Sequence, residues 1–579
     1  MAVNEETEAR LKRRWSRLLS TAEDSSPGRG RAALVLFIVA LALRLPGADS
    51  AHFDANSDET AIVRNVCTMQ ARGSMDPLSF HYPSLHKYLL LPVIGIVRQA
   101  ATPLFPADAA FLVRPEPFLD ASRFVSEFAG AATVVVVFVL AESLWGMTAG
   151  VFAGAFLLGS PLHAVHSGYA TTDAFATLLS TLALFFSCGI ATGAGKSAYV
   201  LAGICSGLAA GTKYPVGLVF VAVPMAHALA VLRARRASNS SPPAANLVSA
   251  GIACGAAFLA ASPYMVLHPT SFLEGFRGMF ASAGDMPSIE NPGPDFLFYP
   301  WALFQQGLLP IPCVLALAGA AAVAWKRDAP AIVAGFVAVA FLAFFGAFHT
   351  QLQRYSLPAV PALCVLAGFG VSVLASLRPV ATKAVAWTGA ASGFAFVTWL
   401  GAQTLLGSTR TQALHWIATA LPPGTRILKE VSVGGIESLE RAQAGLSLMT
   451  QADQEARGEY LRLWKARARL HVNNMTEYTE RYDLALYRSY GPDIVVTAAS
   501  RSDRPGEYPD GAGKPGEFYS ELRRLAKPVQ RISPSLWHRG PTYTVWRMNG
   551  ARSEAARRMD YQATWAVLEA GASRNGNGS

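Results

Sequence analysis

Leu85-His-Lys-Tyr-Leu-Leu-Leu-Pro-Val-Ile-Gly-Ile-Val-Arg-Gln-Ala-Ala-Thr-Pro-Leu-Phe105 is the stretch on which the fold turns. If it crosses a bilayer, every later loop lies on one side. If it lies along a membrane face, every later loop lies on the other. Its content suits the second reading. Pro92 and Arg98 interrupt the apolar run, and its end is flanked by proline, as in a helix lying in the interface.

A bilayer is implied by composition. Of 579 residues 52% are hydrophobic and only 15% charged, with a mean hydropathy of +0.29. A soluble domain carries about a quarter charged residues. Apolar runs recur near 32–48, 85–105, 121–141, 149–166, 173–192, 198–212, 213–232, 247–266, 301–324, 330–348, 355–377 and 385–406. Runs near this length point to membrane-spanning helices. The net charge of +10 then reads as topological rather than as a sign of nucleic acid. Six cysteines, none beyond Cys364, suggest neither a disulfide framework nor a cysteine zinc site. The first apolar run has no clear cleavage site after it and reads as a retained helix.

Charge then decides the opening question. With the N-terminus inside and 85–105 not crossing, the inside loops hold Lys196, Arg233, Arg235, Arg236, Lys326, Arg327, Arg378 and Lys383. The basic tail of residues 1–30 joins them. The short outside loops hold only Lys213, Arg277 and Arg354. A crossing at 85–105 would invert this bias, against the positive-inside rule. The expectation is a mainly α, polytopic membrane bundle of about eleven spans, with interfacial helices at the outer face. The expected divisions are a cytoplasmic tail 1–30, a membrane domain 31–407 with a large first outer loop 49–120, an extracytoplasmic α/β domain 408–550, and a helical then disordered tail 551–579. Strand-like runs at Thr425–Val433, Ile494–Thr497 and Thr542–Trp546, with helical patterns at Thr411–Ala420 and Ala452–Leu470, suggest the α/β domain. Asn474-Met-Thr476 matches a glycosylation sequon, a pattern frequent by chance.

On this topology five polar motifs converge on the outer face: Asp54-Ala-Asn-Ser-Asp58-Glu59; Phe80-His81-Tyr82-Pro-Ser-Leu-His-Lys-Tyr88; His163-Ala-Val-His166-Ser-Gly-Tyr169-Ala-Thr-Thr-Asp173; Gly211-Thr-Lys213-Tyr-Pro215; and His349-Thr-Gln-Leu-Gln-Arg354-Tyr355. A charge in an apolar segment costs roughly 2.5–3.5 kcal/mol at its centre on insertion scales, so their clustering points to a shared site. Each also has a purely structural reading. Asp58-Glu59 and Asp173 suit helix starts. Lys213 suits a snorkelling lysine, Arg354 a partner for a carboxylate, and Arg44 a helix-end anchor. His163, His166, His268 and His349 read first as structural.

In order and spacing these motifs resemble the C-type membrane glycosyltransferases, which use polyprenyl-phosphate sugars, and within them the protein O-mannosyltransferase and aminoarabinose transferase group. The likeness runs over 30–400 and on into Thr411–Glu430. It implies a transferase moving a hexosyl or pentosyl unit from a polyprenyl-phosphate donor in the bilayer to a hydroxyl acceptor on protein, lipid or glycan. By the same likeness Asp58 is the catalytic base, with Glu59 beside it, and Asp173 the second acid. Lys213, Arg354 and Tyr355 match its cationic motifs, and His81 and Tyr82 lie where it has a substrate-lining loop. This chain has Tyr82-Pro-Ser-Leu85 where relatives often carry a second proline. Some relatives hold a divalent metal near this loop, which would make His81 and the carboxylates its ligands; no cofactor is otherwise implied. A cell-envelope location with the catalytic face and C-terminal domain outside follows. The competing readings are a secondary transporter, which would more often show an internal repeat and a midplane site, and a non-catalytic envelope scaffold.

Overall fold

A computed structural model describes residues 27–47, 57–285, 295–348, 351–430, 438–449, 454–465, 467–474, 487, 490–498, 515–536, 538 and 541–573. Most of the basic tail, residues 54–56 of the first acidic motif, His349, the end of the sequon and the last six residues lie outside the described residues. The chain forms two compact units. One comprises Met1–Ala48, Met75–Leu90 and Ser122–Gly401; the other comprises Asp49–Ser74, Leu91–Ala121 and Ala402–Ser579.

The first unit is helical and apolar, and the chain is a multi-pass membrane protein. Seven helices among the described residues are long and apolar enough to cross a bilayer: Pro115–Trp145, Thr172–Ala191, Tyr214–Arg236, Ala244–Ala261, Ala329–Gly346, Gln353–Leu377 and Pro379–Ala420. Met147–Leu158 and Pro161–Ser167, bent by 60° at their junction, make an eighth if they form one span. Gly159, Ser160 and Pro161 account for the bend. Gly159 lies against the backbone of Gly393. Ser160 caps the second helix by accepting from His163 N at 3.3 Å, with Pro161 at its first position. Leu85–Ala101 contains Pro92 and is not among the spans.

Small residues let these helices approach closely, the usual device where lipid supplies no hydrophobic drive between them. Lys196–Thr212 packs on Ala244–Ala261 through Gly203 and Gly207, where an added Cβ would meet the carbonyls of Ala250 and Cys254. Gly319 and Gly370 meet in the same way between Pro310–Lys326 and Val360–Leu377.

The second unit is built on a five-stranded mixed sheet: β1 (Arg426–Lys429), β2 (His471–Asn474), β3 (Ile494–Ala498), β4 (Ala526–Ile532) and β5 (Tyr543–Met548), in the order β2-β1-β3-β5-β4. The β1 strand is parallel to β2 and β3; β5 is antiparallel to β3 and β4. Period-two alternation divides the side chains between two faces. Ile427, Ile494, Val496 and Val545 meet Ala413 and Ile417 of the helix Thr409–Ala420. Leu428 and Val495 meet Phe518, Tyr519 and Leu522 of the helix Pro515–Leu525. The C-terminal helix Glu554–Ser573 is fastened by ion pairs. Arg552 donates to Asp493 and Asp560, each at 2.8 Å, and Arg426 reaches Asp560 at 3.1 Å.

Segments expected to form the first outer loop belong to this unit. The helices Ser57–Ala71 and Ala107–Val113 pack together. Arg467 donates to Val113 O at 2.7 Å, and Phe105 meets Tyr460 edge-on at 5.7 Å. The strands expected near 425, 494 and 542 are present, and β2 and β4 are additional.

Candidate active site

In the first unit Asp173 and Lys213 meet. Lys213 Nζ donates to Asp173 Oδ1 at 2.5 Å, with side-chain exposures of 11% and 6%. Each side chain is placed by a helix terminus. Thr171 is extended, and Asp173 falls in the first turn of Thr172–Ala191, where the helix dipole favours a carboxylate. Thr171 Oγ1 donates to Asp173 Oδ2 at 3.0 Å. At the other partner, Lys196–Thr212 stops because Pro215 has no N–H to continue the ladder. Lys213 becomes extended, with φ −150° and ψ 112°, and a 3-10 turn Tyr214–Val221 follows. A lysine at such a break turns away from its own helix.

Arg354 and Tyr355 arrive on another 3-10 turn, Gln353–Ala359, broken by Pro358. The Tyr355 ring stacks on Phe345 at 5.1 Å. Lys213 Nζ lies 5.2 Å and the Arg354 guanidinium 5.8 Å from its centroid, within cation–π range. Arg354 and His166 are further charged or titratable neighbours of the Asp173 carboxylate. Asp173, Lys213, Arg354 and Tyr355 are therefore brought together as the sequence suggests.

The 76–88 loop is held in the same unit. Tyr214 Oη donates to Phe80 O at 3.0 Å, Ser84 N donates to Ser262 Oγ at 3.2 Å, and Lys87 Nζ donates to Ser79 O at 2.6 Å. Burial pushes the Lys87 ammonium down to about 8, with Asp76 opposing. His81 is exposed, its ring edge-on to that of Tyr82 at 5.0 Å. The buried histidine of this motif is His86, fully enclosed. Burial lowers its pKa to about 4, against the backbone at Ala170 and the charge of Asp173, so it is neutral near pH 7. Sequence reasoning passed over His86. One signal was available: it lies one position beyond Leu85 at the first turn of a helix.

Arg44 ends the helix Pro27–Arg44. It is 2% exposed and donates to Ala40 O and His163 Nδ1, both at 2.8 Å, with Glu127 supplying charge of the opposite sign. Gly130 makes room for it, since a Cβ there would meet Ser167 and approach the guanidinium.

Asp58 and Glu59 belong to the second unit, in the first turn of the helix Ser57–Ala71. Adjacent helical residues point about a quarter-turn apart, and their surroundings differ. Glu59 is fully buried and Asp58 half-buried. Among the described residues no group of three or more His, Cys, Asp or Glu is arranged to hold a metal ion, and no metal is assigned to His81 or the carboxylates.

Comparison with known proteins adds a family. The family model described as dolichyl-phosphate-mannose-protein mannosyltransferase matches residues 118–265, the segment containing His163, His166, Asp173 and Lys213. A search of curated proteins finds no match. Among solved structures, ArnT from Cupriavidus metallidurans bound to undecaprenyl phosphate is 18% identical, over 88% of this chain and 97% of that one, with a TM-score of 0.48. The oligosaccharyltransferase AglB from Archaeoglobus fulgidus, in complex with an inhibitory peptide and a dolichol-phosphate, is 13% identical over 82% and 69%, with a TM-score of 0.45. The S. cerevisiae Pmt1-Pmt2 protein O-mannosyltransferase complex bound to the sugar donor is 16% identical over 51% and 38%, with a TM-score of 0.32. Residues 118–265 thus carry the pattern of the dolichyl-phosphate-mannose-protein mannosyltransferases, and the resemblance drawn from the motifs to membrane glycosyltransferases that use polyprenyl-phosphate sugars is borne out.

Proposed function

We propose that the protein transfers a hexosyl or pentosyl unit from a polyprenyl phosphate to a hydroxyl acceptor at the extracytoplasmic face, inverting the anomeric carbon, with Asp58 as general base. The observation that carries this reading is the buried Asp173–Lys213 pair with Arg354 beside it, within and next to a segment matching a mannosyltransferase family. One carboxylate and two cations leave a net positive charge, complementary to the single negative charge of a sugar phosphodiester.

The acceptor oxygen attacks the anomeric carbon as its proton passes to the Asp58 carboxylate. The bond from that carbon to the phosphate oxygen breaks, and its electron pair leaves with the polyprenyl phosphate. One displacement inverts the centre. The phosphate gains charge as it leaves, and Lys213 and Arg354 are the cations to meet it in a water-poor site. Asp173 aligns the Lys213 ammonium and is the acid to hold sugar hydroxyls. His81, Tyr82 and Tyr355 are the proposed lining of the substrate path. The difference in burial supports Asp58 over Glu59 as the base, because a substrate hydroxyl can reach a half-buried carboxylate. Glu59, fully buried, is the helper that fixes the helix start.

The test is incubation of purified protein with a radiolabelled polyprenyl-phosphate sugar. Sugar transfer or slow donor hydrolysis is the expected result; uptake into vesicles without either would indicate the transporter. A positioned base contributes about 10²- to 10⁴-fold, so Asp58→Asn should lose at least that much rate with normal expression. Turnover of Asp58→Asn at the parent rate would remove Asp58 from the mechanism.

A further inference from the structure

The second unit has a cleft with no part in the proposed reaction. It is about 430 Å³ in volume and lies over the β4–β5 end of the sheet, where the helix Pro515–Leu525 leaves it uncovered. Its lining includes Trp546, Thr544, Tyr519, Arg523, Gln530 and Arg531. The volume falls in the range of small-molecule sites, about 300–1,000 Å³.

The fold places these groups by ordinary periodicity. Thr544 and Trp546 alternate with Tyr543 and Val545, which face the opposite core. Tyr519 and Arg523 are four apart on one helix and share a face. The β4 strand carries a register shift between Pro528 and Gln530, the kind of bulge that re-aims side chains near a site. The Trp546 indole is pinned, its Nε1 donating to Thr497 Oγ1 at 2.9 Å. The ring is thus already ordered before any ligand arrives, which lowers the cost of binding.

Charge narrows the ligand. Among the described residues no carboxylate lines the cleft. Among the described residues neither Arg523 nor Arg531 has an ion-pair partner, whereas the neighbouring Arg524 is engaged by Glu521 at 3.8 Å. Residues 515–548 carry six Lys and Arg against two Glu. Guanidinium forks recognise carboxylate and phosphate, the aromatic rings offer a flat apolar surface, and Thr544 and Gln530 can pair with hydroxyls.

We infer that this cleft binds a saccharide bearing a carboxylate or phosphate. This binding does not depend on the proposed transferase. The full-length protein in detergent is titrated with an oligogalacturonate, with a neutral malto-oligosaccharide and a mononucleotide as comparisons. The acidic oligosaccharide should bind, weakening as salt rises, and the neutral one should bind at least tenfold more weakly. Arg531→Glu and Arg523→Glu, both at exposed positions, should each weaken binding at least tenfold with unchanged thermal melting. Trp546→Phe should weaken it less. Arg531→Glu should leave donor hydrolysis at the parent rate, so failure of the transferase reading and failure of the cleft remain separable. No binding of the acidic oligosaccharide, binding indifferent to both arginine variants, or tighter binding of the mononucleotide would overturn the inference.

Discussion

At the scale of single residues, Asp173 and Lys213 carry the sharpest consequences. They form one buried pair, and removing one partner leaves the other charge uncompensated, a loss of about 3–5 kcal/mol in comparable sites. Asp173→Asn should therefore lower the melting temperature in detergent as well as transfer. Lys213→Met should behave likewise. The double variant Asp173→Leu/Lys213→Met should regain much of the stability and none of the transfer. Recovery of both would make the pair a structural strut. The pair was legible as two separate motifs because each sits where a helix starts or stops. Their contact was not, since nothing local ties residue 173 to residue 213. The enclosure of His86 and Arg44 was not legible for a related reason. Burial is a tertiary property, and in sequence an enclosed histidine looks like an exposed one. His81 drew attention over His86, yet His81 is the exposed member.

At the scale of elements, apolar runs and proline breaks were readable and strand edges were not. The unbroken apolar run Ile494-Val-Val announces β3 because both faces of that strand are buried. The β4 strand reads Ala526-Lys-Pro-Val-Gln-Arg-Ile532, with a proline and polar residues throughout, because it is an edge strand and carries a bulge. The four residues of β2 form the opposite edge and are too short to show a period. Helix contacts in the membrane unit are set by glycines, which a hydropathy profile scores as ordinary apolar positions. A methyl group at Gly203 would run into the backbone carbonyl of Ala250, and overpacking of this kind costs about 1–3 kcal/mol. Gly203→Ala should thus melt earlier than the parent in detergent. Gly251→Ala on the facing helix meets nothing within 4 Å and should hold or gain stability, by up to about 1 kcal/mol from helix propensity. Equal effects at the two positions would deny that close approach at Gly203 holds the helices together.

At the scale of the whole molecule, the outstanding quantity is the number of crossings. Seven helices, or eight with the bent pair, pass on length and composition. Three more fall just short. Pro27–Arg44 includes Arg29, Arg31 and Arg44, while Lys196–Thr212 and Pro310–Lys326 are 17 residues each. At 1.5 Å per residue, 17 residues reach about 26 Å against a hydrocarbon core of about 30 Å, a gap that local thinning can absorb at modest cost. Counting these three with the eight gives eleven, and adding Leu85–Ala101, also 17 residues, gives twelve; the charge bias favours eleven. An odd number sets the termini on opposite sides, so the C-terminal sheet domain should face away from the basic tail. Cysteine usage makes this measurable, since no native cysteine follows Cys364. Ser447 is exposed on the helix Leu439–Leu448. In intact cells Ser447→Cys should react with a membrane-impermeant maleimide above the background of the parent chain. With the basic tail inside, labelling that appears only after lysis would mean an even number of crossings. Either the 85–105 stretch would then span after all, or one of the three short helices would not.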